Sequence, residues 1–141
     1  MLVSWNTTNQ CNMFCDHCYR DAGVKLEEEL TTTQGKTLID QIKEAGFRMM
    51  IMSGGEPLMR PDIFELCAYA VSRGLRTVMG TNGTLITPRV ADELRQSGLA
   101  ACAISLDSIV ASEHDAFRKL EGAYDLALQG MANLKRAGIP F

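Results

Sequence analysis

Four times along this chain an amphipathic helical pattern stops at a glycine followed by an apolar residue: Gly46-Phe47, Gly74-Leu75, Gly98-Leu99 and Gly138-Ile139. Glycine just beyond a helix takes the left-handed conformation that closes it. After the first three stops come short apolar runs without helical period, Arg48 to Ser53, Leu75 to Thr81 and Ala101 to Leu106. With Leu2 to Thr8 at the start, these predict four strands. Strands that alternate with longer helical patterns build a parallel sheet, so the fold class is α/β, four βα units in one domain. Both faces of such strands are covered, which accounts for Met49-Met50-Ile51-Met52, a run that does not alternate. We read its methionines as core filler.

The helices carry their own punctuation. Thr31 and Gln34 form a capping box for helix one, whose stripe is Leu38, Ile39, Ile42 and Ala45. Pro61 is expected at the first position of helix two, with Ile63, Leu66, Cys67, Ala70 and Val71 as its stripe. Thr87 caps helix three and Pro88 opens it. A short helix is expected around Ser112 to Lys119, and a longer one from Ala123 to Ala137. A hydrophobic content of 46% supports a packed core. A net charge of −3 with no basic run argues against nucleic acid or an anionic membrane as partner. No stretch has the apolar length of a membrane span. Met1 to Trp5 has no basic region or cleavage site, so no signal peptide is expected.

Five cysteines in no disulfide framework point to a reducing compartment. Three of them, Cys11, Cys15 and Cys18, fall within eight residues. Thiolates are soft ligands, and such a loop reads as an iron–sulfur or zinc site. Three thiolates leave one iron of a cubane without a protein ligand, open to a small molecule. The alternative is a zinc site completed by His17. Redox use of Cys15 and Cys18 alone would leave Cys11 unexplained. Cys67 and Cys102 fall on core positions and read as buried thiols. Glu27-Glu28-Glu29 reads as a solvated acidic stretch. The cysteines follow strand one, Gly54 to Pro57 follow strand two, Asn82-Gly83 strand three and Asp107-Ser108 strand four. Parallel α/β barrels carry their active sites at that end of the strands.

The spacing Cys-x3-Cys-x-x-Cys, with His17 at the aromatic position, and the segment Ser53-Gly54-Gly55-Glu56-Pro57 resemble the radical S-adenosylmethionine (SAM) superfamily. The resemblance implies a partial (β/α)6 TIM-like barrel, of which residues 1–141 supply the N-terminal four βα units. Ile139-Pro140-Phe141 then reads as the opening of a fifth strand, and the chain as truncated before it. An exposed sheet edge and an unfilled barrel interior are expected to make it marginally stable or self-associating. The resemblance also implies an enzyme of oxidoreductase or lyase type. Its cofactors are a 4Fe-4S cluster on Cys11, Cys15 and Cys18, and SAM. Reductive cleavage of SAM would give a 5′-deoxyadenosyl radical that abstracts hydrogen from the substrate.

The same resemblance assigns roles at the site. His17 packs near the adenine. Gly54 and Gly55, lacking Cβ, bring their carbonyls to the SAM ammonium, with Glu56 supporting by charge and Pro57 stiffening the turn. Ser105 and Asp107 meet the ribose or carboxylate, and Asn82 has a similar claim; local capping and a plain turn are their alternatives. Arg118, in His114-Asp115-x-x-Arg118, pairs with the SAM carboxylate, or is a surface helix charge.

Two segments narrow the resemblance. Ser4-Trp5-Asn6-Thr7-Thr8-Asn9-Gln10 and Cys18-Tyr19-Arg20-Asp21-Ala22-Gly23 look like the proteins of alternative haem and haem d1 biosynthesis. That implies a tetrapyrrole substrate, a reductant such as flavodoxin or ferredoxin, and a cytoplasmic location. The alternatives are a peptide maturase with a C-terminal cluster domain, and a non-catalytic zinc-binding module.

Overall fold

The computed structural model describes residues 1–141. Strands β1 (Leu2–Asn6), β2 (Met49–Ser53), β3 (Arg76–Thr81) and β4 (Ala101–Ile104) form one parallel sheet in sequence order. Helices α1 (Thr32–Glu44), α2 (Ile63–Ser72) and α3 (Pro88–Gln96) connect them, and α4 (Ala111–Arg118) and α5 (Ala123–Ala137) follow β4. Strands β1 and β4 each continue one bond past their ladders: Thr7 N–H donates to Ser53 O and Ser105 N–H to Thr81 O.

The expected caps form. Thr31 accepts from Gln34 N–H and Gln34 returns the bond, closing the capping box of α1. Thr87 accepts from Val90 N–H, with Pro88 first in α3. Pro61 does not open α2. The helix starts at Ile63, after a 3-10 turn at Pro57–Met59. The reason lies in Arg60, which donates to Thr7 O and Leu30 O and pairs with Asp62. This fixes the chain in a second bend before the helix begins.

The strands are buried on one face only. Met50, Met52 and Met79 are fully buried among Ile39, Leu66, Cys67 and Leu94 of the helices. Met50 and Met52 are therefore core filler, as expected, whereas Met49 is half-buried on the opposite face. The opposite face carries Ile51, Ser53, Val78 and Gly80, all half-buried. That differs from the expectation of two covered faces. The helices pack on one side, and the other side is the hollow of an open sheet. Along its upper row Asn6 pairs with Ser53 and Gly80 with Ala103, so small side chains leave room there. At the outer edge of β4, Cys102 N–H donates to Pro140 O over 2.9 Å, a single bond where a fifth strand was expected to open. No helix is long and apolar enough to cross a membrane.

Candidate functional site

The cysteine loop leaves the top of β1 and is stitched at its base. Cys11 N–H donates to Gly23 O, and Gly23 N–H to Asn9 O. From the other side, Gly55 N–H donates to Thr8 O and Glu56 N–H to Gln10 O, both over 2.8 Å. These bonds need glycine. A Cβ on Gly55 would lie 2.5 Å from Gln10 O, and one on Gly54 would strike Thr8 O. The missing Cβ atoms thus admit the backbone of the cysteine loop. The expectation that they clear space for a ligand is corrected to that extent.

The loop tip docks on α4. His17 stacks on Phe117 with centroids 4.1 Å apart, and Asp16 pairs with Lys119. Arg118 Nη1 donates to Cys15 Sγ over 3.8 Å, and Ala22 N–H to Cys18 Sγ over 3.4 Å. Burial pushes the Cys11 thiol up, offset in part by the Met13 N–H.

One cavity of about 230 Å³ gathers most of the expected residues. Cys11, Cys15, Cys18, His17, Gly54, Gly55, Asn82, Ser105 and Arg118 all line it. Glu56, Pro57 and Asp107 do not. Glu56 is fully buried and accepts from Thr81 Oγ1, Asn82 N–H and Leu58 N–H. Burial raises its pKa against those three bonds. It joins the ends of β2 and β3 rather than facing a ligand. Pro57, also buried, opens the 3-10 turn beneath. Asp107 fills the fork of Arg118, with Nε at 2.5 Å and Nη2 at 3.0 Å. Burial would raise this carboxyl, but Arg118 holds it below its ordinary value. Arg118 therefore does not present a free fork to a carboxylate. The Asn82 side chain is likewise committed, donating to Asn12 Oδ1 and accepting from Thr84.

Sequence reasoning passed over several lining residues: Met13, Ser53, Gly80 and Thr81. Ser53 and Gly80 were findable, since strand parity places them on the hollow face beside Asn6. Arg20 lay inside a quoted motif without a role.

Both cysteines of the core behave as buried thiols, with pKa values pushed up to about 12 by burial. Glu29 is not merely solvated. Its carboxylate accepts from Thr8 Oγ1, Asn9 N–H and Leu26 N–H, bracing the entry to the cysteine loop.

The donor set fits an iron–sulfur cluster. Three thiols face one cavity, and the Gly54 and Gly55 carbonyls beside them accept no hydrogen bond from the protein. No three His, Cys, Asp or Glu side chains are grouped to hold a single ion. A cubane asks for separated thiolates, each on its own iron.

The radical SAM superfamily model matches residues 5–141. The chain is 43% identical over 141 residues to the AdoMet-dependent heme synthase of Nitratidesulfovibrio vulgaris, covering 99% of this chain and 38% of that protein. It is 45% identical over 139 residues to the Fe-coproporphyrin III synthase of Methanosarcina barkeri, covering 98% and 35%. The mycofactocin maturase of Mycobacterium tuberculosis is 37% identical over 136 residues, covering 96% and 34%. The chain thus spans little more than a third of the curated relatives it matches. In fold it superposes on Streptococcus suis SuiB bound to S-adenosylmethionine, with a TM-score of 0.80 at 19% identity, covering 98% of this chain and 32% of that one. The cysteine spacing, the glycine corner stitched to it and the match over residues 5–141 converge: this chain belongs to the radical SAM superfamily.

Proposed function

We propose that residues 1–141 are the N-terminal part of a radical SAM core. Cys11, Cys15 and Cys18 hold a 4Fe-4S cluster, and SAM binds beside it. The parent protein acts on a tetrapyrrole precursor in haem or haem d1 biosynthesis. One observation carries the cofactor reading: three thiols and two uncommitted glycine carbonyls share one cavity. When bound, the cluster supplies the low-potential electron that SAM cleavage requires. The protein's own groups do the rest. The Gly54 and Gly55 carbonyls accept from the SAM ammonium. Arg118, held by Asp107, donates to Cys15 Sγ and offsets thiolate charge. Ser105 offers a hydroxyl, and His17 on Phe117 offers a flat wall for the adenine. A flavodoxin or ferredoxin in the cytoplasm is the expected reductant.

The tetrapyrrole reading is supported by four relatives above 40% identity, three haem synthases and an Fe-coproporphyrin III synthase. A peptide maturase is the second reading, favoured by the mycofactocin relative at 37%. Anaerobic reconstitution with iron and sulfide, followed by EPR of the reduced protein, tests the cofactor assignment. A four-iron signal that changes on adding SAM is expected, and Cys11→Ala should remove it. Zinc binding alone, or a signal indifferent to SAM, refutes the reading.

A further inference from the structure

Two arginines line the cavity beside the cysteines, and they are in opposite states. Arg118 has its fork filled by Asp107. Arg20 makes no ion pair, and its Nε is buried without a hydrogen-bond partner. An unpaired buried donor is costly, and the few that native structures keep call for an explanation. No acidic side chain pairs with it. Glu28 and Glu29 share a second recess with Arg20, but neither forms an ion pair with it, and Glu29 accepts from Thr8, Asn9 and Leu26. Asp16 pairs with Lys119.

That recess, about 190 Å³, runs along β1 and includes Asn6. Asn6 Oδ1 is also buried without a partner. Arg20 lines both spaces, so it stands between the cysteine cavity and the recess. Asn6 belongs to the hollow-face row that Ser53 continues. Two orphaned polar groups therefore flank one edge of the site, and one of them is an uncompensated cation.

We propose that Arg20 is a substrate-binding residue. Its guanidinium fork takes a carboxylate of the substrate. Asn6 beside it donates through its Nδ2 amide group, its Oδ1 being an acceptor left for a donor of the substrate. The planar fork matches a carboxylate with two parallel bonds. The proposal rests on the reading of this cavity as a radical SAM site. The carboxylate comes from one of two sources, a tetrapyrrole side chain or an acidic peptide residue, and the experiment separates them.

The chain is reconstituted with cluster and SAM, then titrated with a porphyrin bearing four carboxylates and with its tetramethyl ester. A short glutamate peptide and its glutamine counterpart form the second arm. Arg20→Gln should weaken the tetra-acid at least tenfold, leave the ester unchanged and keep the SAM-induced EPR change. Arg20→Lys, which keeps the charge but loses the fork, should fall between. Unfolding curves should coincide, because Arg20 makes no internal bond. If Arg20→Gln binds the porphyrin as well as the parent does, the Arg20 assignment fails and the tetrapyrrole reading stands. If only the peptide binds, and Arg20→Gln weakens it, the tetrapyrrole reading fails and Arg20 stands. Loss of the SAM-induced change would assign Arg20 to the cofactor and overturn the proposal. So would the failure of both acidic probes to bind better than their neutral counterparts.

Discussion

Across the cavity, the Gly54–Pro57 corner and the cysteine loop face each other, and they are built on opposite terms. At the corner, Glu56 and Pro57 are buried, and the Glu56 carboxylate satisfies donors from β3, its loop and the 3-10 turn. In the cysteine loop, Phe14 is 68% and Tyr19 83% exposed, and the tip has few backbone bonds of its own. It leans on α4 through one stacked ring, one ion pair and two weak bonds between Cys15 sulfur and Arg118. The corner is held in place by protein alone, with only the Gly54 and Gly55 carbonyls left uncommitted. The loop is stitched only at its base, and its tip is left for a ligand to order. Free energy spent on burying the corner fixes where the loop starts; under the proposed function, cluster binding would decide where the thiolates end up.

This contrast predicts that stability and cofactor loading respond to different residues. The largest stability effect is expected at Gly55→Ala. Its Cβ would meet the carbonyls of Gln10 and Asn9 at 2.5 Å and 2.8 Å, both backbone atoms that have no side-chain freedom to yield. A loss of about 3 kcal/mol in urea unfolding is expected. A loss below about 1 kcal/mol would show that corner and loop are not rigidly stitched.

Glu56→Gln comes next. The amide keeps the volume but replaces an acceptor oxygen with an NH2 group among three donors, Thr81 Oγ1, Asn82 N–H and Leu58 N–H. About 2 kcal/mol should be lost, the cost of a buried donor without an acceptor. An unchanged denaturation midpoint would mean that the carboxyl is already protonated and donates to Thr81.

A smaller effect is expected at the base of the cysteine loop. Burial would raise the Glu29 pKa, but the bonds from Asn9, Leu26 and Thr8 outweigh it and hold the group below its ordinary 4.5. A carboxylate whose folded pKa is depressed adds stability that is complete above the unfolded pKa. That stability is lost as pH falls through the folded value. The difference between the parent and Glu29→Gln should thus be about 1 kcal/mol at neutral pH. It should close as the solution is acidified below 4.5. A gap independent of pH would show that the brace does not depend on charge.

The comparison also explains which parts of the molecule were legible in the sequence. Helix caps, the glycine stops and the cysteine spacing are local signals, and Thr31, Thr87 and Cys11 to Cys18 stand where they were read. The corner's glycines were legible as a motif, but not their partner. That Gly55 packs on Gln10 O depends on two segments 45 residues apart in the chain being neighbours, which the β1–β2 register decides. The same holds for polar side chains. Glu56, Asp107 and Arg118 were read as groups facing a ligand, because the sequence does not say which polar groups will satisfy one another. Asp107 and Arg118 meet only once α4 folds back over the end of β4. Glu29 disappeared into an acidic run whose neighbours are indeed exposed. Arg20 was invisible for the opposite reason: its distinction is the lack of a partner.

The smallest stability effect is expected where the chemical effect is greatest. Cys11→Ala removes a thiol whose one polar contact is the Met13 N–H, from a loop whose base is held by the backbone of Gly23 and Asn9. In the metal-free protein its unfolding free energy should stay within about 0.5 kcal/mol of the parent. Reconstitution should then separate the two. Cluster binding to the folded state alone raises the melting temperature of the parent by mass action. The variant, left with two thiolates, should gain little and retain less iron. If instead Cys11→Ala destabilised the metal-free protein as strongly as Gly55→Ala, the loop would be part of the finished scaffold. The division between a prebuilt corner and a ligand-ordered loop would then be wrong.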